Sequence, residues 1–319
     1  MSDVQVIGAG AWGTALAMQA RRAGAQVRLW ARDPEKAAAM AHTRQNPHLP
    51  GVTLPDGLLV ASTWAAADVV LLAMPMQALR ALAPTLPDGM LVACCKGVEA
   101  GSHLLPLEVL AAIHPGRPAC VLTGPNFAGE VARGLPAAAV VAGAHSDGRS
   151  AVLAALSSPD FRLYGNDDAI GAQVGGAAKN VVAIAAGAVI GAGLGENARA
   201  ALVTRGLAEL ARLALALGGR TATVSGLSGL GDLLLTCTGP SSRNFSFGLA
   251  LGQGHSVAEI LASRDTVTEG VATAPALVAR ARAVGVELPI AAAVAAVVQG
   301  RLSVPDAIRL LLARPQRDE

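Results

Sequence analysis

Lys179 and Asn180 stand inside an otherwise apolar, glycine- and alanine-rich run, residues 175–187. A charged side chain in such a run needs a partner or a purpose, because burying it alone is costly. Burial and nearby cations lower the pKa of a lysine, which is what a general base working near neutral pH requires; Lys96 and Arg243 are the candidate cations. The competing reading is a lysine that carries its head out to solvent. A second run, residues 226–244, is GLSGLGDLLLTCTGPSSRN, and it is expected to expose Ser242, Arg243 and Asn244 at its end. A guanidinium is a planar fork matched to phosphate or carboxylate, and Ser and Asn beside it add donors without bulk. Such a site binds an anion. Asp232, after Gly231 in the same run, has two readings: a carboxylate that orients Lys179 or accepts from a substrate hydroxyl, or a helix N-cap.

The chain opens on a different chemistry. Gly8, Gly10 and Gly13 form a G-x-G-x-x-G with Ala11 and Trp12 inside it, directly after an apolar strand and ahead of a helix over 14–22. Gly8 allows the tight turn, Gly10 lets backbone approach a pyrophosphate and Gly13 permits close helix packing, with the helix N-terminus facing the phosphates. The pattern predicts a bound dinucleotide. At the end of the second strand, where an acidic residue would hold a ribose 2′-hydroxyl, the chain has Arg32 and then Asp33. A guanidinium there suits the 2′-phosphate of NADP and stacks on adenine, while Asp33 would serve NAD. The expectation is NADP with NAD tolerated, against a solvated surface arginine. Lys96 follows a strand end, and Gly124, Asn126 and Ala128 follow another, so both loops are candidates for ligand contact or for ordinary turns. Together with the anion site, the motifs predict an enzyme acting on a small phosphorylated substrate.

Strands must hold those loops on one edge. Residues 4–7, 26–30, 68–74, 90–94, 119–122, 137–142 and 161–164 read as strands alternating with helical stretches, the pattern of a parallel sheet covered on both faces. Ligands bind at the carboxyl edge of such sheets. From about residue 167 the pattern changes to long Ala, Leu and Val helices broken at 191–195, 218–219 and 239–240. Residues 205–217, 256–262 and 273–284 have helical spacing of their apolar positions. The predicted organisation is a Rossmann doubly wound α/β domain over 1–165 followed by an all-α domain over 166–319. Residues 314–319 read as a mobile polar tail.

Composition removes other classes. Of 319 residues 52% are hydrophobic, enough for two cores, and only 3% are aromatic, which disfavours stacking of exposed nucleobases. The formal charge is +2 with no polybasic tract, so nucleic acid is not an expected partner. The apolar window 181–194 falls short of the ~20 residues of a spanning helix and reads as a buried one. Four cysteines without C-x-x-C spacing, and no leader pattern, fit a reduced cytoplasm. The six histidines pair with no carboxylate or cysteine at ligand spacing, so no metal is expected. No serine lies in a nucleophile elbow, which removes acyl transfer.

At this point the chain resembles the bacterial type of NAD(P)-dependent glycerol-3-phosphate dehydrogenase. The resemblance rests on GAGAWGTALA at 8–17, KG at 96–97, GPNFA at 124–128, AAKNVVAIAAG at 177–187, GLSGLGDLLLTCT at 226–238, SRN at 242–244 and VTEG at 267–270. It covers nearly the whole chain and implies the same two-domain fold. It implies Lys179 as proton acceptor, with Lys96, Gly124, Asn126 and Asp232 about the substrate and Ser242, Arg243 and Asn244 on its phosphate. It implies cofactor contacts at Trp12, Arg32, Lys96, Ala128, Arg243, Val267 and Glu269. Asn126 departs from the Ser or Thr usual in the family, which puts that contact in question. The implied reaction is reduction of dihydroxyacetone phosphate to sn-glycerol 3-phosphate for glycerophospholipid synthesis, by a homodimer.

Overall fold

Val69, Val70, Leu71 and Leu72 are all buried, and the strand they form has a neighbour on either side. A continuous apolar run is what a strand covered on both faces requires. The structure, a computed structural model, describes residues 1–264 and 267–315. The final residues 316–319 of the predicted tail lie outside that range.

The strands are β1 (Asp3–Ile7), β2 (Gln26–Trp30), β3 (Leu58–Ala61), β4 (Val69–Leu72), β5 (Met90–Ala93), β6 (Ala119–Thr123), β7 (Ala137–Ala142) and β8 (Phe161–Asn166). They form one sheet in the order β3-β2-β1-β4-β5-β6-β7-β8. Neighbours are parallel except β6 and β7, which run antiparallel. Six helices join them: α1 (Ala11–Arg22), α2 (Pro34–Thr43), α3 (Leu79–Leu82), α4 (Pro106–Ile113), α5 (Ala128–Ala132) and α6 (Ser146–Leu156). One face of the sheet buries Val4, Val6, Leu29, Leu71 and Leu122 against Leu16 and Ala20 of α1 and Val152 and Leu156 of α6. This is the doubly wound sheet that the alternation predicts. Two features depart from the expectation: β3 was not foreseen, and the β6–β7 pair is not parallel.

The rest is helical: α7 (Ala169–Gly191), α8 (Gly195–Ala216), α9 (Thr221–Val224), α10 (Asp232–Cys237), α11 (Arg243–Gly252), α12 (Val257–Ala262), α13 (Glu269–Ala283), α14 (Pro289–Val298) and α15 (Val304–Leu312). The chain divides into two compact units, 1–96 with 105–173 and 97–104 with 174–319, so the division falls inside α7 rather than at 165. At 23 residues α7 is long and apolar enough to cross a membrane, yet 78% of its apolar window is buried inside the structure, as in a core helix. It packs backbone to backbone on α11. A Cβ on Gly187 would overlap the Phe245 carbonyl, and one on Gly248 the Ile184 carbonyl.

One buried carboxylate sets a pH dependence in the helical unit. Glu209 of α8 is 4% exposed and accepts from Ile290 N at 2.7 Å and Ala291 N at 3.3 Å, in the first turn of α14. Those amides favour the carboxylate, but burial outweighs them and pushes its pKa up from 4.5 to about 7. Between those values the folded chain keeps a proton that the unfolded chain has released. Stability therefore falls as pH rises through that window, by about 3 kcal/mol from this group. Glu209→Gln should flatten the thermal-unfolding profile between pH 4.5 and 7 relative to wild type; parallel profiles would contradict the assignment.

Candidate active site

The β1–α1 turn is shaped by two crowded glycines and one open one. Gly8 adopts φ +116°, and a Cβ there would lie 2.8 Å from the Ala73 carbonyl oxygen. On Gly13 it would overlap the Gly8 carbonyl oxygen, whereas on Gly10 it would meet nothing within 4 Å. The outer two are therefore required by packing, and the middle one leaves space for an incoming group. Asn46, buried, braces the turn by donating to Ala9 O at 3.0 Å and to Thr14 Oγ1 at 2.7 Å. Trp12 Nε1, in the first turn of α1, is a buried donor with no hydrogen-bond partner. An open glycine, a helix N-terminus and an unused donor fit the oxygens of a dinucleotide's pyrophosphate.

The neighbouring strand ends carry the other residues of this unit. Arg32 is exposed after β2. Asp33 accepts from Glu35 N at 3.0 Å and Lys36 N at 3.3 Å, so its carboxylate caps α2. Lys96, half-buried after β5, donates to Gly124 O at 3.2 Å after β6, which draws the two loops together. Gly124 has φ +146°, with Ala139 Cα 2.9 Å from where a Cβ would lie. Asn126 donates to Ala138 O at 3.0 Å, which leaves its Oδ1 buried without a partner, as is Thr123 Oγ1. Ala128 begins α5, half-buried.

In the helical unit Lys179 and Asp232 meet. Lys179 is 8% exposed and Asp232 0%, and the ammonium donates to the carboxylate in a buried ion pair. Asp232 is delivered by a π-helical turn over Leu227–Gly231, a rare geometry found often at functional sites. That turn packs against α7: a Cβ on Gly175 would meet Gly229 Cα at 2.9 Å. Of the two readings of Asp232, the carboxylate on Lys179 is the one observed; no side-chain cap bond is made at the start of α10. Burial pushes the nearby Cys237 thiol up to about 12, although the Lys179 charge pulls it down, so this cysteine stays protonated. All four cysteines are free and buried.

The SRN segment departs from its expected exposure. Ser242 is buried and caps α11, accepting from Phe245 N at 3.2 Å. Asn244 is buried too, donating to Asn180 Oδ1 at 2.9 Å and accepting from Gly270 N at 2.9 Å. Only Arg243, the first residue of α11, is exposed. The start of α11 consumes the Ser242 hydroxyl as its cap, and Asn244 is taken up by Asn180 of α7 and by the first turn of α13. Val267 is exposed, and Glu269, half-buried, begins α13 one residue before Gly270.

Sequence models for the N-terminus and C-terminus of NAD-dependent glycerol-3-phosphate dehydrogenase match residues 3–148 and 168–309. The glycerol-3-phosphate dehydrogenase [NAD(P)+] of Gluconobacter oxydans is 52% identical over 99% of this chain and 98% of its own. The chain belongs to this family. The dehydrogenase of the same name from Acidiphilium cryptum is 56% identical over the same shares. The crystal structure of glycerol-3-phosphate dehydrogenase from Coxiella burnetii is similar throughout, with 36% identity, a TM-score of 0.93 and coverage of 98% of this chain and 99% of that one.

Asn46 and Gly270 are the residues that motif reading of this dehydrogenase passes over. Asn46 has no neighbouring signal, because the turn it braces is more than 30 positions away. Gly270 had a signal in VTEG: a Cβ there would lie 2.7 Å from Asn180 O and 2.8 Å from Asn244 Oδ1. Among the described residues no three His, Cys, Asp or Glu side chains are grouped to hold a metal ion.

Proposed function

We propose that this chain catalyses the reversible NAD(P)H-dependent reduction of dihydroxyacetone phosphate to sn-glycerol 3-phosphate, feeding glycerophospholipid synthesis. The observation that carries the reading is the buried Lys179–Asp232 pair in a chain of this family. A bound NAD(P)H supplies hydride to the substrate's C2. Lys179, protonated and held by Asp232, donates to the oxygen that becomes alkoxide, and in the oxidative direction takes the proton back. Lys96 stabilises negative charge developing on that oxygen, with Gly124 and Asn126 beside the substrate. Arg243 holds the phosphate at the first turn of α11; Ser242 and Asn244 shape that turn, and the second N–H of the Asn244 amide is left for the ligand. The cofactor is held by Gly8, Gly10, Ala11, Trp12 and Gly13 at its pyrophosphate, by Arg32 at its ribose, and by Lys96, Ala128, Arg243, Val267 and Glu269. The enzyme works as a homodimer in the cytoplasm.

The test is turnover from the oxidative side. With sn-glycerol 3-phosphate and NADP the chain should form reduced cofactor, and a chain that did so only with a 3-hydroxyacid would carry another activity. Capping of α2 by Asp33 leaves Arg32 to read the 2′-position and favours NADPH. A charge-assisted contact of this kind is worth about 1.5 kcal/mol or more, so Arg32→Ala should lower the NADPH-to-NADH ratio of kcat/KM by roughly ten-fold. An unchanged ratio removes Arg32 from that role.

A further inference from the structure

All three tryptophans of this chain, in which aromatics are 3% of residues, lie about the carboxyl edge of three adjacent strands. Trp12 follows β1, Trp30 ends β2, and Trp64 follows β3. Trp30 is pinned: its Nε1 donates to Ser62 O at 2.8 Å, and its backbone pairs with Ala61 of β3. Trp64 lies against it, ring centroids 4.8 Å apart and planes at 47°. The backbone just beyond Trp64 is anchored as well, Ala65 N donating to the buried Gln5 side chain at 3.2 Å. Trp64 itself stays half-exposed, its ring held against Trp30 and its chain anchored just beyond it, and still partly open to solvent. Two residues beyond Trp30 stands the exposed Arg32.

We infer that Trp64 is the platform on which the adenine of the cofactor stacks, with Trp30 as the residue that sets its plane. The inference rests on the cofactor reading given above and adds a residue to it. A fixed indole offers a flat apolar face at little entropic cost, and stacking does not depend on the ribose substituent. Trp64 therefore contributes equally to NADPH and NADH, whereas Arg32 separates them.

The test is a binding titration of the intact chain, followed by cofactor fluorescence, with wild type, Trp64→Phe and Trp64→Leu. Leu keeps an apolar side chain on Trp30 and removes the π face. Loss of one base–aromatic stack should raise the Kd of NADPH and of NADH by the same factor, about ten-fold, in Trp64→Leu, and by much less in Trp64→Phe. Reduced nicotinamide mononucleotide, which lacks the adenosine half, should lose about ten-fold less than NADPH does. An unchanged NADPH Kd in Trp64→Leu, or an equal loss for the mononucleotide, overturns the inference and leaves the cofactor reading standing. A wild-type chain that binds neither dinucleotide overturns both.

Discussion

Lys179→Met should lower kcat for dihydroxyacetone phosphate reduction by about 1,000-fold, in the range typical of a lost general acid, and leave the NADPH Kd within about two-fold of wild type. The side chain is 8% exposed in the middle of α7, and the ammonium donates to Asp232. A donor already fixed in a buried pair needs little reorganisation when the alkoxide forms. Methionine retains the stem's packing and removes the proton. The G-x-G-x-x-G turn belongs to the other compact unit, so its packing is not altered by the change. Initial-rate kinetics beside a binding titration separates the two effects, and near-normal turnover would remove Lys179 from the chemistry.

Asp232→Ala should be strongly destabilising in the helical unit. The carboxylate is fully buried, and deleting it leaves the Lys179 ammonium in the same surroundings without that counter-charge. Breaking one half of a buried pair costs about 3–5 kcal/mol, while replacing both halves by apolar side chains of similar volume costs far less. Urea denaturation should therefore find Lys179→Met/Asp232→Leu more stable than Asp232→Ala, although neither turns over. Additive losses would mean that the two groups do not stabilise one another.

What the sequence made legible follows from how local each constraint is. The β1–α1 turn was readable because its three glycines sit within six residues, although the backbone that Gly8 must clear is that of Ala73, far along the chain. The Rossmann sheet was readable from the alternation of strands with helices, Val69–Leu72 lying within the strand read over 68–74. β3 was not, since Leu58–Ala61 is only four residues long and shows no alternation a single sequence can distinguish from a loop. Strand direction between β6 and β7 was not either, because alternation of strands with helices gives the type of each element and not its direction. At the site, polarity alone made Ser242 and Asn244 look exposed. The partner of Ser242, Phe245 N, is met as soon as the first turn of α11 forms, whereas the partners of Asn244, Asn180 and Gly270, become neighbours only when α11 and α13 close on α7. The Lys179–Asp232 pair spans 53 positions, so motif reading gave two possibilities for Asp232 that only the fold separates.

Reduction of a phosphorylated ketone is measured most directly as NADPH oxidation by the wild-type chain with dihydroxyacetone phosphate, beside dihydroxyacetone and a 2-oxo acid of similar size. Sites built to bind a charged or hydrogen-bonding group reject analogues that lack it by large factors, so kcat/KM for the phosphorylated ketone should exceed both by at least about 1,000-fold. Equal rates with and without the phosphate, or a preference for the 2-oxo acid, would contradict the account.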